Sequence, residues 1–327
     1  MHDIIQQLPD SIANQIAAGE VVQRPASVVK ELLENAVDAG AQSIKLIVRD
    51  AGKALIQVVD DGCGMSETDA RMSFERHATS KIRTAEDLFK IRTMGFRGEA
   101  LASIAAVAQV ELKTRKSQEE MGTCIIVHGS RVEDQSYCQT AKGTSVQVRN
   151  LFYNTPGRRK FLKSDSVEFR HIRDEFINMA LAHPELELNF YKGDQLLYQL
   201  NPGNLRNRVV AILGEENNKR IIPVDETSSS VKIRGFVGKP EFARKSRKEQ
   251  YLFVNQRYVK NFYITHAITT AYKDLIEEGR HPFFVLFLSL DPASIDINVH
   301  PTKHEVKFED ERLVYQIIHV AIKHALG

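Results

Sequence analysis

Tryptophan is absent, and nothing follows from that. Cysteine is scarce: Cys63, Cys124 and Cys138 are too few and too scattered for a disulfide framework or a CxxC metal site. A reducing cytosol is the simplest compartment for such usage. Neither sign of charge dominates. Lys+Arg at 44 against Asp+Glu at 42 leaves a formal net charge of +2, which excludes a histone-like polycation but not a local basic groove. No apolar run approaches about 18 residues, so no membrane span is expected. The opening MHDIIQQLPDS carries acid and amide residues where a secretory signal needs a basic and then an apolar segment. Repeats and low-complexity tracts are missing. So are a GxxxxGK[ST] P-loop and a complete GxGxxG fingerprint, and any nucleotide must be held by another arrangement.

What is present is an ordinary globular chain. Its 327 residues suggest two domains, and 43% hydrophobic with 26% charged residues excludes whole-chain disorder. The first half reads as mixed α and β. Helices are predicted over 27–39, 66–76 and 98–107, and strands over 44–49, 55–60, 108–114, 122–128 and 143–149. Ser66 followed by Asp69 resembles a capping box. Residues 77–98 are polar and glycine-punctuated, the signature of a long functional loop. A helix follows at 165–183. The NPGN turn at 201–204 marks a domain boundary. Beyond it the pattern gives helices at 204–213, 261–277 and 311–326 and strands at 231–237, 250–255 and 283–290. The last helix stops abruptly at Gly327, where a linker would start.

The helix SVVKELLENAVDAG is the first informative segment. At about 100° per residue, Val29, Leu32, Leu33 and Ala36 share one side. Glu31, Asn35 and Asp38 fall within about 60° of one another on the opposite side. A solvated stripe would account for them, but Asn is a poor mid-helix residue and Glu or Lys would meet water better. A carboxylate one turn from an amide oxygen can orient a water molecule and ligate a hard cation such as Mg²⁺, which takes one or two protein oxygens and completes its shell with water and phosphate. Glu34 is the rival base, about 60° from Glu31 around the helix and on the side away from Asn35.

Next, LIQVVDDGCGM delivers Asp60 to the end of an apolar strand before a tight turn through Gly62 and Gly64. That is ordinary turn chemistry. It is also the description of a carboxylate in a pocket floor, where an exocyclic amine donates to it and a carbonyl-bearing base leaves acceptor facing acceptor. Further on, Thr79, Ser80 and Lys81 offer two hydroxyls and a cation. Gly95 and Gly98 bracket Phe96 and Arg97, and Gly98-Glu99-Ala100-Leu101 opens a helix whose free N–H groups suit phosphate oxygens.

Two basic clusters complete the reading. Seven Lys/Arg between Lys239 and Lys260 (Lys239, Arg244, Lys245, Arg247, Lys248, Arg257 and Lys260) face only Glu241 and Glu249, a local excess of +5. Between Pro156 and Arg173, six (Arg158, Arg159, Lys160, Lys163, Arg170 and Arg173) face Asp165 and Glu168, an excess of +4. One such run is an ordinary solvated face. Two in a neutral chain suggest a polyanion-binding groove.

Read in order, Glu31…Asn35, Asp60-x-Gly62-x-Gly64, Gly95-x-x-Gly98 and Gly143-Thr144 resemble the GHKL ATPases. The runs IANQIAAGEVVQRPASVVKELLENAVDAGA, ERHATSKI, GFRGEALASI, LFYNTPGRRKFL and NVHPTKHEVKF are similar to the MutL family of DNA mismatch-repair proteins. The resemblance covers the family's N-terminal ATPase region. It leaves out the C-terminal dimerisation region, which in some members holds an endonuclease.

The resemblance implies an α/β sandwich ATPase domain over 1–203, with an arm at 1–20 and an ATP lid at 77–98. A smaller ribosomal S5 domain 2-like α/β domain would follow over 204–327. It implies ATP and Mg²⁺ as ligands. Glu31 would be the general base and Asn35 the Mg²⁺ ligand. Asp60, with Gly62 and Gly64 beside it, would read adenine, and Thr144 would support it. Thr79, Ser80 and Lys81 would belong to the lid, and Gly95, Arg97, Gly98, Glu99, Ala100 and Leu101 to the phosphate cradle. Lys303 would reach the γ-phosphate from the second domain. His300 and His304 flank it, but Pro301 argues against a helical metal pair.

The arm is expected to have no strong structure of its own. Double- and single-stranded DNA would be held without base reading by Arg158, Arg159, Lys160, Arg244, Lys245, Arg247, Lys248, Arg257 and Lys260. The implied partners are the mismatch sensor MutS, a helicase or nuclease of the pathway and a second copy bound on ATP. The implied location is the bacterial cytoplasm, at the nucleoid. A non-enzymatic matchmaker, whose pocket only stabilises a partner-binding shape, is the competing reading.

Overall fold

A computed structural model describes residues 8–79, 98–296 and 306–327. The chain divides into two compact units, and the main chain leaves the first at Gly203 and enters the second at Asn204.

In the first unit, helices α1 (Asp10–Val21) and α2 (Pro25–Asp38) precede strands β1 (Ser43–Arg49) and β2 (Leu55–Asp60). Then come α3 (Glu67–Met72), α4 (Ala100–Val107), β3 (Gln109–Arg115), β4 (Gly122–His128), β5 (Arg131–Cys138) and β6 (Gly143–Arg149). Helices α5 (Pro156–Phe161) and α6 (Asp165–Ala182) lead to β7 (Glu187–Lys192) and β8 (Gln195–Leu200). Among the described residues these strands form one eight-stranded sheet, in the order β5-β4-β3-β6-β2-β1-β7-β8. Every pairing is antiparallel except β1 with β7.

Alternation makes the sheet one-sided. Ile44, Leu46 and Val48 of β1, Ile56 and Val58 of β2, Val110 and Leu112 of β3, and Val146 and Val148 of β6 are all buried. The residues between them, such as Lys45, Gln57, Glu111, Lys113 and Gln147, are only half-buried or exposed. Helix α2 lies against β2 and α6, and α1 lies against α4. At one end, Phe190 is fully buried and stacks with Phe169, Phe176 and Tyr198, with centroids 4.9 to 6.3 Å apart.

In the second unit, α7 (Leu205–Leu213) leads into β9 (Ile221–Thr227), β10 (Lys232–Gly238), β11 (Gln250–Val254) and β12 (Arg257–Val259). Helix α8 (Phe262–Ala271), β13 (Phe284–Ser289), the short pair β14 (Ile295–Asp296) and β15 (Lys307–Phe308), and α9 (Glu311–Leu326) complete it. Five strands pair in the order β12-β11-β13-β10-β9. Ile264, Ile268, Val314, Ile318 and Ile322 of α8 and α9 share one core with Ile233, Leu252 and Leu286 of the sheet. No helix among the described residues is long and apolar enough to cross a membrane.

Several expectations need correction. The arm at 1–20 is not without structure: Asp10–Val21 is helical, with Ala18 and the following Val22 fully buried. Helix α3 ends at Met72 and α8 at Ala271, both short of the predicted spans. Strand β5 escaped prediction because it is an exposed edge strand with no apolar alternation. The capping reading of Ser66 holds: its Oγ accepts from Asp69 N at 3.2 Å and donates to Asp69 Oδ2 at 2.8 Å.

Phe190→Ala should destabilise the first unit by about 3–5 kcal/mol, because a large cavity opens among three rings. Urea unfolding monitored by circular dichroism checks this, and a loss below about 1 kcal/mol contradicts the aromatic cluster.

Candidate nucleotide site

Helix α2 begins with Pro at its first position, whose missing N–H costs nothing there. Val28, Val29, Leu32, Leu33 and Ala36 enter the core. Glu31, Asn35 and Asp38 are half-buried, so their stripe is not an open solvated face. Glu34 separates cleanly from Glu31: it is 6% exposed, with Oε1 at 4.0 Å from Lys30 Nζ. The half-exposed carboxylate is Glu31.

The C-terminal end of α2 is fixed to the turn after β2. Ala39 N donates to Asn35 O at 3.0 Å, and Cys63 N donates to Ala39 O at 2.9 Å. A Cβ at Gly62 would stand 2.8 Å from Ala39 Cβ. Gly64 has φ +67°, and a Cβ there would stand 2.2 Å from Arg115 O. Both glycines are therefore required by the chain's own close approach, whatever else they admit. The turn carries two acids with different tasks. Asp61 Oδ1 accepts from Gln42 N at 2.7 Å and Ser43 N at 3.0 Å, tying the turn to the start of β1. Asp60 Oδ1 accepts from Gly62 N at 2.9 Å.

Burial pushes the Asp60 carboxyl up to about 6, against the lowering pull of N–H groups from Gly62 and Thr144. A half-buried anion with two backbone donors is under-solvated, and a further donor would relieve it. Thr144 lies directly opposite Asp60 in the β2–β6 register. Its Oγ1 is 3.0 Å from that of Thr114, a fully buried residue that the sequence reading missed. The signal was available: QVELKTR alternates Val110, Leu112, Thr114, so Thr114 falls on the apolar face.

Helix α4 starts at Ala100, and its N-cap Glu99 makes no side-chain cap. The Glu99 carboxylate is 3.1 Å from His77 Nδ1 and 3.9 Å from Arg76 Nη2. Gly98 lies against Ala78, whose carbonyl oxygen would be 2.3 Å from an added Cβ. Residues 77–79 and 98–99 thus lie side by side, with the half-buried Thr79 against Gly98. The other predicted members (Ser80, Lys81, Gly95, Arg97 and Lys303, with His300 and His304) lie outside the described residues.

The basic candidates divide. Arg158 is half-buried, and its Nη2 donates to Gln15 O of α1 at 3.0 Å. A Cβ on Gly19 would meet that same nitrogen at 2.1 Å. This guanidinium holds α1, and in α5 the exposed cations are Arg159 and Lys160. Arg244 pairs with Glu249 at 2.6 Å, and Arg247 Nε donates to His281 Nε2 at 3.3 Å. Lys245, Lys248 and Lys260 are exposed, and Arg257 is half-buried.

Residues 23–152 match the family of histidine kinase-, DNA gyrase B- and HSP90-like ATPases, and residues 209–327 match that of the DNA mismatch repair protein C-terminal domain. A DNA mismatch repair protein MutL from Christiangramia forsetii is 58% identical over the whole chain, which covers 53% of that relative. The Bacteroides fragilis MutL is 55% identical, with 52% of its length covered. The chain thus spans about half the length of the relatives it matches. Among solved structures, the N-terminal domain of a DNA repair protein superposes with a TM-score of 0.81 at 24% identity, covering 96% of this chain and 97% of that one. The Aquifex aeolicus MutL ATPase domain complexed with ADP gives 0.64 at 25% identity, covering 91% and 98%.

A carboxyl raised by folding stabilises the protein fully below the free value near 3.9 and loses that contribution as pH rises through about 6. Asp60→Asn removes this loss. The variant should gain thermal stability relative to the parent between pH 4 and about 6, levelling off above it. A stability difference that is flat across that window counts against the buried carboxyl.

Proposed function

The chain belongs to the MutL family of DNA mismatch-repair proteins, and on that premise we propose that it is the ATP-binding and ATP-hydrolysing region of a mismatch-repair switch. The observation that carries this is the under-solvated Asp60 carboxylate, on a turn bonded to the end of the helix that holds Glu31 and Asn35. The exocyclic amine of adenine supplies the missing donor. A carbonyl at the same place opposes lone pair to lone pair. Gly62, Gly64 and Thr144 frame that end.

At the other end, the N–H groups of Gly98 to Leu101 and the side chain of Arg97 hold phosphate oxygens. Gly95 belongs to the same phosphate cradle, and Thr79, Ser80 and Lys81 form part of the lid. Asn35 presents an amide oxygen to Mg²⁺. No group of three or more His, Cys, Asp or Glu among the described residues could hold a metal. A single protein oxygen fits an ion whose remaining ligands are phosphate and water, and when bound that ion offsets phosphate charge. Glu31 takes the proton from the attacking water as a bond forms to the γ-phosphorus and the bond to the β–γ bridging oxygen breaks. Lys303 stabilises the charge on the γ-phosphate.

Residues 1–203 form the ATPase domain and residues 204–327 the domain that transmits its state. Slow hydrolysis acts as a timer. Two copies close on ATP through the arm, around DNA held by Arg159, Lys160 and the cations between Arg244 and Lys260. MutS upstream and a helicase or nuclease downstream are the partners of the closed form. Such a protein works at the nucleoid.

Glu31→Ala should keep ATP affinity within about threefold and lower kcat by about a hundredfold or more, measured by equilibrium binding and phosphate release. Equal loss of both removes the base assignment. Asn35→Ala should abolish the Mg²⁺-dependent part of ATP binding. DNA affinity should fall steeply with salt, with a log–log slope of about −0.9 per duplex phosphate contacted, and a flat response rejects the groove.

A further inference from the structure

The helix-covered face of the first sheet changes character at one end. On β2 the row Ile56, Val58 ends in Asp60; on β6 Val148, Val146 ends in Thr144; on β3 Val110, Leu112 ends in Thr114. The registers align these ends, with Asp60 opposite Thr144 and Thr144 opposite Thr114. Thr123 of β4, 5% exposed, continues the row beside Thr114. Three hydroxyl residues therefore back a single carboxylate, at the rim of a core that is otherwise Val, Ile and Leu.

Thr114 is fully buried and makes three polar contacts. Its Oγ1 lies 2.9 Å from Met65 N, 3.1 Å from Gly143 O and 3.0 Å from Thr144 Oγ1. A hydroxyl has one proton and two lone pairs. Met65 N–H can only donate, so it takes one lone pair. Gly143 O can only accept, so it takes the proton. The second lone pair is left for Thr144, which must donate to it. This is the one assignment that satisfies all three contacts. In the alternative, Thr114 donates to Thr144, and the buried carbonyl of Gly143 faces a lone pair.

We infer that Thr114 is a specificity-positioning residue: it turns the Thr144 proton inward, so that Thr144 Oγ1 offers only lone pairs beside the Asp60 carboxylate. The inference rests on the reading that Asp60 faces a nucleotide base. Two adjacent acceptors select a base edge that brings N–H groups, as an exocyclic amine does. A carbonyl oxygen in the place of that amine has no N–H to offer and faces lone pairs from both Asp60 and Thr144. Thr114 also joins the two segments that flank Asp60, because Met65 closes the turn after it and Gly143 opens the strand opposite it. Selectivity for the amine thus depends on a residue that cannot touch the base itself.

The test compares ATP with GTP, whose base carries a carbonyl where adenine carries the amine. Thr114→Val keeps the side-chain shape and removes the hydroxyl, while Thr114→Ser restores it. Thr114→Val should lower the preference for ATP over GTP by about tenfold, because the Thr144 hydroxyl becomes able to donate to a carbonyl. The change should fall on KM rather than kcat, and Thr114→Ser should recover the preference. Equal weakening of both nucleotides, or no recovery with Ser, overturns the inference.

Asp60→Asn, run alongside, separates the two readings. If it leaves the ATP preference intact, Asp60 does not read the base. If it abolishes the preference while Thr114→Val does not, only the role of Thr114 fails. Should Thr114→Val not fold, Thr144→Val at its half-buried position removes the oriented hydroxyl directly. An unchanged preference there overturns the inference as well.

Discussion

A carboxylate held where solvation is insufficient organises the first unit. Asp60 ends an apolar strand at the edge of an apolar face, and burial lifts its pKa to about 6 despite N–H groups from Gly62 and Thr144. An isolated charge at such a place would be relieved by a small shift of the turn towards water. The surrounding chain prevents that shift. Asp61 ties the turn to β1 through two backbone N–H groups, Gly62 and Gly64 lie against backbone with no room for a Cβ, and Cys63 is bonded to the end of α2. The under-solvation of Asp60 is thereby preserved instead of being relieved by the turn's own movement.

The same fixing brings α2 into the site as a rigid body. One side of the helix is core, and packing of Leu32, Leu33 and Ala36 sets its rotation. Rotation decides which acid is available. Glu34 is drawn inward near Lys30, whereas Glu31 and Asn35 stay at the half-buried margin. A helix free to roll by the angle between those two acids would exchange one exposed carboxylate for the other. Apolar packing thus selects which carboxylate stays at the margin, although none of the packing residues lies there itself.

Periodicity made much of this legible from sequence. Helix α2 and strands β1, β2, β3 and β6 each bury one regular side, and their predicted spans, like that of β4, match within two residues. Where burial is not periodic, the pattern was silent. Helix α1 escaped notice because its apolar residues Ile12 and Ile16 are about half-exposed while small Ala18 is the buried one. Strand β5 buries nothing fully, and α5 has no buried residue at all. Thr114 was overlooked for a different reason. A hydroxyl in an apolar row reads as a strand end, and its importance lies in proton direction, which follows only from three distances. The resemblance to a family assigned roles to single residues without saying what holds them there.

Charge shows the converse error, in which sequence promises more than geometry delivers. Counting cations gave excesses of +4 and +5 over two short spans. Within the first, Arg158 is turned inward to the carbonyl of Gln15, and Arg173 lies 3.9 Å from Asp174. Within the second, Arg244 pairs with Glu249, and Arg247 donates to His281. Burial and the neighbouring Arg247 cation lower the His281 pKa, so that ring is neutral and acts as an acceptor instead of adding a charge. The exposed lysines and Arg159 remain to meet a phosphate backbone. The lysine side chains are single-point, rotatable donors, whereas Arg159 carries the planar guanidinium fork. Point charges of the lysine kind hold a phosphate backbone and leave register undefined.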